Sequence, residues 1–387
     1  MSDLSPNRKA TLIETLFERA EDEMEIRDYE DYFKAIDTEV QYLNESRDFR
    51  DLLFRLEPDQ FVTVALITVP RLRVNPGSVQ EAVLGELQVG DTLGIQADGL
   101  PRERTILNHI LDGIIRIWLM VDPSPVEEIH NAGWRGQRKF CDFVHGLFYP
   151  GQEALKYPSS KTTQTRDSEL VAEMTSETTQ IQSSLTHPLT ASNMKKLTNI
   201  TIYWTRQLDK HLEYDADYEN LSVFAQIRWL FDARDIIQRW RRDNTPDPEL
   251  TTQPEPNICP FPIPLEVIQE TITSLELLFP RYNIPTNRFL KAHNESLYLF
   301  RVRNPGDVRD RAGSKVRLKE FVFYHDRLIE LAQEFINPPK SWNTIFKDYR
   351  NPIQYWTFWI GLVIFAATVV SVVLAGVQVY YAAHPVT

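Results

Sequence analysis

The densest group of side chains suited to acid–base or metal chemistry lies where the sequence reads DKHLEYDAD. This stretch contains Asp209, His211, Glu213, Asp215 and Asp217. Imidazole and carboxylate groups are common zinc ligands and common general acids and bases. On a helix, side chains two positions apart point about 200° away from each other, so these groups converge only where a helix ends. The pattern favours a helix end that runs into a polar loop, and a metal or acid–base site is the alternative.

Other signals of catalysis or metal binding are sparse. Cys141 and Cys259 lie far apart, and His145 follows Cys141 by four positions, but one Cys–His pair supplies too few ligands for a metal ion. The sequence contains no Gly-rich phosphate loop, zinc-protease helix, serine-hydrolase elbow or kinase motif set. We therefore expect no catalytic residue, metal or cofactor. A membrane-bound enzyme with a non-standard site near His211 is the alternative.

The charge of the chain argues against nucleic-acid binding. Its 387 residues include 42 Lys and Arg against 54 Asp and Glu, a formal net charge of −12, whereas proteins that bind nucleic-acid phosphates are usually basic. Residues 1–57 alone carry sixteen acidic and eight basic residues. Such a segment is typical of amphipathic helices with a solvated face, and a docking surface for a basic partner is the alternative.

The C-terminal region has the composition of a membrane-spanning helix. Residues 351–387 contain no Asp, Glu, Lys or Arg, and residues 359–379 read WIGLVIFAATVVSVVLAGVQV. At about 1.5 Å per residue this run is roughly 31 Å long, which matches the hydrocarbon core of a bilayer. Aromatic side chains suited to the two headgroup regions flank it, and we expect them to act as interfacial anchors. They are Tyr355, Trp356, Trp359, Tyr380 and Tyr381.

The flanking charges predict how this helix is oriented. Lys340, Lys347 and Arg350 precede it and no charged residue follows it, and basic residues are retained on the cytoplasmic side. The start of the chain lacks a signal-peptide pattern, and two isolated cysteines are typical of the cytosol. We therefore expect a tail-anchored, single-pass protein with a cytosolic N-terminus. The endoplasmic reticulum or another endomembrane is favoured over the mitochondrial outer membrane, and the glycosylation sequences at Asn44, Asn199, Asn220 and Asn294 are interpreted as accidental.

One face of the predicted transmembrane helix carries small residues. Ala367, Ser371 and Ala375 repeat every four positions, so they share a helix face. Small residues at this spacing allow two helix backbones to approach closely. We expect this face to pack against a second copy of the helix or against another membrane span. An oligomeric pore built from the single span is a further hypothesis.

Hydrophobic spacing predicts a helical first third that gives way to a small β element. Apolar residues recur at helical spacing from Leu12 to Met24 and from Tyr29 to Leu43, which indicates two antiparallel helices. The β-branched run Phe61–Val69 and the alternation from Leu87 to Ile95 predict two or three strands near residues 60–95. Apolar spacing from Ile106 to Trp118 predicts the helix that covers them.

The second half of the chain reads as helical. Stripes predict helices over 197–212, 223–240, 265–279 and 318–335. The fold class is therefore mainly α (α+β), with a helical cytosolic region, a small β element and one C-terminal transmembrane helix. The predicted division is an acidic helical segment 1–57, a β element with its covering helix 58–150, a Ser/Thr-rich linker 151–195, a helical domain 196–340 with a Pro-rich interruption 246–264, and the transmembrane helix 355–381.

A basic loop lies between two of the predicted helices. Residues 301–319 contain seven Lys and Arg, against two Asp and no Glu. If this loop lies near the bilayer it can meet anionic headgroups, and it can equally pair with the acidic N-terminal helices of the same chain. The second reading is preferred, because it needs no partner outside the chain.

Three stretches carry a resemblance to known sequences. They are ITIYWTRQLDKHLEY from Ile200, PIPLEVIQETITSLELLFP from Pro262 and RNPIQYWTFWIGLVIF from Arg350. They resemble a family of single-pass membrane proteins of filamentous fungi, and the likeness covers the second half of the chain well and the first half poorly. The resemblance implies an α-rich cytosolic region followed by one C-terminal span. It implies no catalytic residue, because that family has no established activity.

These features predict a function in which the protein acts without catalysis. The C-terminal anchor and the strong helical stripes indicate a tail-anchored protein whose cytosolic region is a protein-interaction or scaffold module. The expected partners are the lipid bilayer, other proteins at the cytosolic face and a second copy of the transmembrane helix, but no nucleic acid.

Overall fold

The fold is mainly α with one small sheet, as the sequence predicts. The computed structural model describes residues 4–18, 26–51, 54–75, 83, 93, 101–123, 139–148, 188–198, 200–244, 261–281, 283–294, 297–298, 318–336 and 352–383. Its helices are α1 (Pro6–Phe17), α2 (Glu30–Glu45), α3 (Arg47–Asp51), α4 (Pro58–Val74), α5 (Pro101–Leu119), α6 (Phe140–Phe148), α7 (Ala191–Leu197), α8 (Ile227–Asp243), α9 (Leu265–Leu278), α10 (Ile284–His293), α11 (His325–Ile336) and α12 (Pro352–Ala383). Short 3-10 turns lie at Ile26–Tyr29 and Leu318–Glu320, and the strands are β1 (Thr201–Thr205), β2 (Tyr214–Asp215) and β3 (Asn220–Phe224).

Two N-terminal helices are confirmed as α1, as far as Phe17, and α2. The predicted continuation of the first helix over residues 19–24 lies outside the described residues, and the antiparallel arrangement stays a prediction. Ser5 is the N-cap of α1, its hydroxyl accepts a hydrogen bond from the Arg8 N–H, and Pro6 takes the first helical position. The helix ends at Phe17, because Glu18 adopts a left-handed conformation with φ of 50°. The apolar stripe of each helix is buried in the core.

The predicted strand Phe61–Val69 is wrong, since this run lies inside α4. Pro58 occupies the first turn of the helix, and Glu57 and Gln60 form a capping box around its start. The β-branched side chains of the run contact α1, α2 and α5. Burial on several sides therefore outweighs the modest strand preference of these residues.

The helix predicted over 197–212 is also wrong. Helix α7 ends at Leu197, and the chain then forms β1, in which Ile202 is buried and Tyr203 is exposed. Strand β3 lies in the middle of the sheet and pairs in parallel with β1 and antiparallel with β2. A small β element therefore exists at residues 201–224, and the described residues of the range 60–95 form no strand.

The remaining predicted helices are recovered with shifted ends. The stripe from Ile106 to Trp118 is confirmed as α5 and the stripe at 265–279 as α9. Helix α8 begins at Ile227, because the residues before it belong to β3, and α11 begins only at His325. Several predicted segments lie outside the described residues. They are the β pattern at 87–95 apart from Leu93, the linker as far as residue 187, the Pro-rich segment as far as residue 260 and the basic loop as far as residue 317.

One hydrophobic core joins all the helices before α12. Its buried residues run from Leu4 to Phe335 and include side chains from both halves of the chain. Trp118 of α5 and Trp229 of α8 each contact the ring of Phe261, with centroid distances of 6.2 and 5.7 Å. The Trp229 indole N–H also donates to the Trp118 carbonyl at 2.9 Å. Segments distant in sequence are therefore packed together, and the predicted domain boundaries stay a prediction.

Candidate membrane anchor and the His211 cluster

Helix α12 is long and apolar enough to cross a membrane. The apolar part runs from Tyr355 to Tyr380, which is 26 residues, and none of it is buried against the rest of the protein. At about 1.5 Å per residue, 26 residues span roughly 39 Å, more than the hydrocarbon core of a bilayer. A long helix with apolar side chains on every face is stable in lipid, where its backbone groups are all paired internally.

Three hydroxyl groups along α12 are paired with its own backbone. The hydroxyls of Thr357, Thr368 and Ser371 each donate to the carbonyl four positions earlier, at 2.8–2.9 Å. The carbonyl that Ser371 contacts is that of Ala367, so both residues belong to the predicted small-residue face. Because the Ser371 hydroxyl bonds its own helix, the face with Ala375 presents mainly small carbon atoms.

The predicted interfacial anchors lie at the two ends of this helix. The Tyr355 ring contacts those of Trp356 and Trp359, with centroid distances of 5.9 and 6.3 Å. Trp356 and Tyr380 are both more than half exposed, and Tyr381 lies in the last turn of α12. Their position at the headgroup level stays a prediction.

His211 lies in the loop between β1 and β2 and is fully buried. Its Nδ1 atom accepts a hydrogen bond from the Phe224 N–H at 3.1 Å, and its Nε2 atom lies 2.6 Å from Ser274 Oγ. Its ring packs edge-on against Tyr324, with a centroid distance of 5.0 Å. Burial, with a smaller effect from the Arg327 charge, lowers the pKa of His211 to about 3. The imidazole is therefore neutral across the physiological pH range.

The His211–Ser274 pair does not have the arrangement of a nucleophile and its base. Because Nδ1 accepts from a backbone N–H, the single imidazole proton sits on Nε2, which donates to Ser274 Oγ. The Ser274 hydroxyl in turn donates to the Thr271 carbonyl at 2.7 Å. An Nε2 atom that already carries its proton cannot accept one from the serine, and both side chains are closed to solvent.

The other members of the predicted cluster do not converge on His211. The Asp209 carboxylate accepts a hydrogen bond from the Asp122 N–H, and burial raises the pKa of Asp209 to about 6. The Asp215 carboxylate accepts from two backbone N–H groups and thereby closes the turn between β2 and β3. Glu213 and Asp217 are exposed. The predicted helix end is wrong, because strand β1 precedes this segment, but the segment does contain a polar loop.

Arg327 holds this loop in place from α11. One of its terminal nitrogens donates to the carbonyls of Asp209 and His211, at 2.7 and 2.6 Å. Nearby, the Glu270 carboxylate accepts from three successive backbone N–H groups, those of residues 322–324, just before α11 begins. A carboxylate there accepts hydrogen bonds from backbone N–H groups at a helix start and interacts favourably with the positive end of the helix dipole. These polar groups hold the backbone of the loop and of the residues before α11 in position.

Metal and thiol chemistry find no support in the described part of the chain. Within it, no three His, Cys, Asp or Glu side chains are grouped so that they could hold a metal ion. Cys141 lies in the first turn of α6, and burial raises the pKa of its thiol, which opposes activation. The His145 side chain and Cys259 lie outside the described part of the structure.

The carbonyls at the end of α1 are bonded by two arginines that sequence reasoning missed. Arg73 of α4 donates to the carbonyls of Thr15 and Leu16 and forms an ion pair with Glu18 at 3.3 Å. Arg239 of α8 donates to the carbonyls of Phe17 and Glu18, at 3.4 and 3.1 Å. Helix α1 has no basic residue in its own last turn. This was the only sign in the sequence that the carbonyls at its end are bonded by side chains from elsewhere in the chain.

Two further buried polar contacts, a hydrogen bond and an ion pair, link segments that are distant in sequence. The Tyr29 hydroxyl donates to the fully buried Asp232 carboxylate at 2.8 Å, and Arg228 lies 3.4 Å from the same carboxylate. The side chain of Arg116 contacts Glu39, and both are largely buried. Buried charges persist where they are paired and hydrogen-bonded, so these contacts hold the helices in register.

The fold and α12 together define a class, which is a mainly α protein with one C-terminal helix of membrane-spanning length. Only this coarse assignment follows from the structure. No family model, curated protein or solved structure matches the chain.

Proposed function

We propose that this is a tail-anchored, single-pass membrane protein whose helical cytosolic region acts as a protein-interaction or scaffold module at an endomembrane. The observation that carries the proposal is the contrast between α12, which is exposed and apolar on all sides, and the helices before it, which share one closed core. A helix with no core-facing side is stable in lipid and unfavourable in water. The resemblance to fungal single-pass proteins belongs to the same proposal.

The cytosolic placement of the folded region rests on charge and on one side chain. Lys347 and Arg350 lie just before α12, and basic residues are retained on the cytoplasmic side, which favours the N-terminal side as cytosolic. Asn44 Nδ2, which a lumenal glycan would use, donates to the Leu56 carbonyl at 2.9 Å, and Asn44 Oδ1 accepts from the Leu56 N–H. This glycosylation sequence is therefore part of the packed structure, which supports the cytosolic assignment.

The non-catalytic part of the proposal rests on the state of His211. A general base needs a free lone pair directed at its substrate, and both imidazole nitrogens of His211 are occupied inside the core. An open groove of about 690 Å³ lies between α2 and residues 49–58. Its lining mixes acidic, basic and amide side chains, which suits a protein contact better than a reaction.

Protease protection in intact microsomes tests the topology. The full-length protein carries epitope tags at both ends, and we expect the N-terminal tag to be digested and the C-terminal tag to be protected. A matched pair of variants, Val369→Arg and Val369→Leu, separates the anchor from other effects, since only the charged residue is costly in the bilayer. Protection of the large region, or unchanged membrane retention of Val369→Arg, would contradict the proposal.

Proximity labelling tests the scaffold role. The full-length protein and a reporter that carries only α12 are each fused to the same labelling enzyme at the N-terminus. We expect the full-length protein to label a reproducible set of proteins beyond those labelled by the reporter. If the two sets are the same, the folded region recruits nothing at that membrane and the scaffold role is wrong.

A further inference from the structure

One surface of the folded region is basic, although the chain as a whole is acidic. Helices α7 and α10 pack together and contain Lys195, Lys196, Arg288, Lys291 and His293, but no Asp or Glu. These five side chains are all exposed. We call these five residues, with the exposed Ile284, the basic surface.

Contacts between the two helices make this a single surface. Lys195 Nζ lies 3.3 Å from His293 Nε2 and 5.5 Å above the centre of the Phe289 ring, so α7 is held against the last turns of α10. The His293 ring stacks on Phe289, and its Nδ1 lies 2.9 Å from the Phe289 carbonyl. The Nδ1–H donates to that carbonyl, and Nε2 faces the Lys195 ammonium group. The positive charge of the surface comes from its Lys and Arg residues.

The outward face of α10 combines cations with an apolar side chain. Ile284, Arg288 and Lys291 lie at positions i, i+4 and i+7, which places them on one stripe, and Ile284 is 65% exposed. On the opposite face Thr286 and Leu290 are buried in the core. Within the described residues, Arg288 and Lys291 form no ion pair, so their charge is directed at solvent.

We infer that the basic surface binds the anionic headgroups of the membrane in which α12 is anchored. This inference rests on the proposed function, because α12 supplies the membrane. The 15 residues from 337 to 351 connect α11 to α12, and at no more than about 3.6 Å each they span at most roughly 54 Å. Every surface of the folded region is thereby kept close to the headgroups, at high effective concentration.

Charge complementarity selects which surface turns toward the bilayer. Basic residues are attracted to an anionic leaflet, and an exposed apolar side chain among them can enter the headgroup boundary. Helix α2 has the opposite character, with five acidic residues and one lysine, so an anionic bilayer repels it. The folded region therefore rests on α7 and α10, and the acidic helix α2 is turned away from the bilayer.

Lipid-to-protein quenching in nanodiscs tests this orientation with the full chain. A fluorophore is placed at Ala292→Cys, beside the basic surface, or at Thr38→Cys, an exposed position on α2, with Cys141 and Cys259 changed to Ser. The discs contain phosphatidylcholine alone or with about 30% phosphatidylserine, and a trace of headgroup-quencher lipid. We expect quenching at position 292, but not at 38, to increase several-fold with phosphatidylserine. We expect this increase to disappear at about 0.5 M salt, where charges are screened beyond about 4 Å.

A charge-reversed pair supplies the decisive variant. Arg288→Glu with Lys291→Glu should abolish the phosphatidylserine-dependent quenching, and the fold should be kept because neither side chain has a partner in the described structure. Arg50→Glu with Arg242→Glu, which reverses two other exposed arginines, should leave it unchanged. Thermal unfolding of both pairs checks that the fold is intact.

Three outcomes would overturn the inference in distinguishable ways. Failure of the full chain to enter nanodiscs removes the anchor and the inference together. Entry with equal quenching in both lipid mixtures removes only the inference. If the fluorescence of the label at position 292 changes on addition of polyglutamate but not with phosphatidylserine, the basic surface binds an acidic protein segment and not lipid headgroups.

Discussion

The Nδ1 atom of His211 accepts a hydrogen bond from the Phe224 N–H at 3.1 Å, which ties the loop after β1 to the end of β3. The opposite nitrogen reaches Ser274 on α9, so one neutral imidazole joins the sheet to a helix. A protonated imidazole could not accept from Phe224 and would lie beside the Arg327 charge. His211 therefore acts as a structural link that requires neutrality.

The first prediction is a loss of stability in acid that depends on His211. Burial lowers its pKa from 6.5 to about 3, so between these values the unfolded chain binds a proton that the folded chain does not. The free energy of unfolding is therefore expected to fall as the pH drops below about 6.5, by up to about 1.4 kcal/mol per pH unit. Urea unfolding of the wild type and His211→Gln across this range measures it. His211→Gln should be less stable than the wild type at neutral pH. Its free energy of unfolding should fall less steeply with decreasing pH than that of the exposed-histidine control His293→Gln.

The second prediction concerns Asp209 and has the opposite sign. Burial raises its pKa from 3.8 to about 6, so between these values the folded chain binds more protons than the unfolded chain. Its contribution to stability is therefore lost as the pH rises through this window. We expect Asp209→Asn to gain stability relative to the wild type between about pH 4 and about pH 7. A relative stability that is constant with pH would show that the Asp209 carboxyl is solvated like an ordinary surface acid.

The third prediction tests the buried Tyr29–Asp232 contact. Tyr29→Phe removes the hydroxyl that donates to the fully buried carboxylate, and we expect a loss of about 1–3 kcal/mol in the free energy of unfolding. Tyr42→Phe is the matched control, because Tyr42 is 63% exposed and should change stability little. Equal effects in chemical denaturation would mean that the contact contributes nothing specific.

The fourth prediction concerns the two arginines at the end of α1. Arg73→Met leaves the carbonyls of Thr15 and Leu16 without their side-chain donor in a largely buried place, so we expect a loss of about 2–3 kcal/mol. Arg239→Met affects an exposed contact and should cost less than about 1 kcal/mol. Native-state hydrogen exchange should show lower protection in α1 than in α9 for both variants. Uniform loss of protection across both helices would argue against a local role.

The fifth prediction tests the small-residue face of α12. Ala367→Ile and Ala375→Ile should each weaken self-association, because the larger side chains prevent close approach of two backbones. Ala366→Ile adds the same volume on a different face and should have little effect. Energy transfer between labelled full-length copies in vesicles measures association. Equal transfer in all three variants would show that α12 does not pair through this face.

The sequence alone predicted the elements that carry a strong local signal. Ser5-Pro6 marked the start of α1, and Pro280 marked the end of α9. Helix α12 was predictable because a run of predominantly apolar residues as long as 359–379 has few other stable environments. Each of these signals is local, so no knowledge of tertiary contacts was needed.

The errors arose where one pattern fits two structures. Ile200 and Trp204 are four positions apart, which places them on one face of a helix and equally on one face of a strand. The Phe61–Val69 run is apolar on every side, so it lacks the periodicity that separates a buried helix from a buried strand. The capping pair Glu57 and Gln60 was the local signal that could have decided in favour of a helix.

The links to His211 were not predictable from sequence for a different reason. Phe224, Ser274 and Tyr324 lie 13, 63 and 113 positions away along the chain, and no spacing rule connects residues brought together by packing. The two arginines that bond the carbonyls of α1 are equally distant from it. Sequence reasoning found the polar residues, but not which of them would be buried together.

The hydrogen bonds from Arg239 to the end of α1 determine when α1 can complete its folding during synthesis. Arg239 lies 221 positions after Glu18, so α1 reaches its final contacts only after more than half of the chain has been synthesised. High contact order of this kind slows folding and leaves apolar stripes exposed on the nascent chain. The N-terminal helices are therefore expected to be chaperone clients during translation, and a fragment that stops before α8 is expected to aggregate when expressed alone.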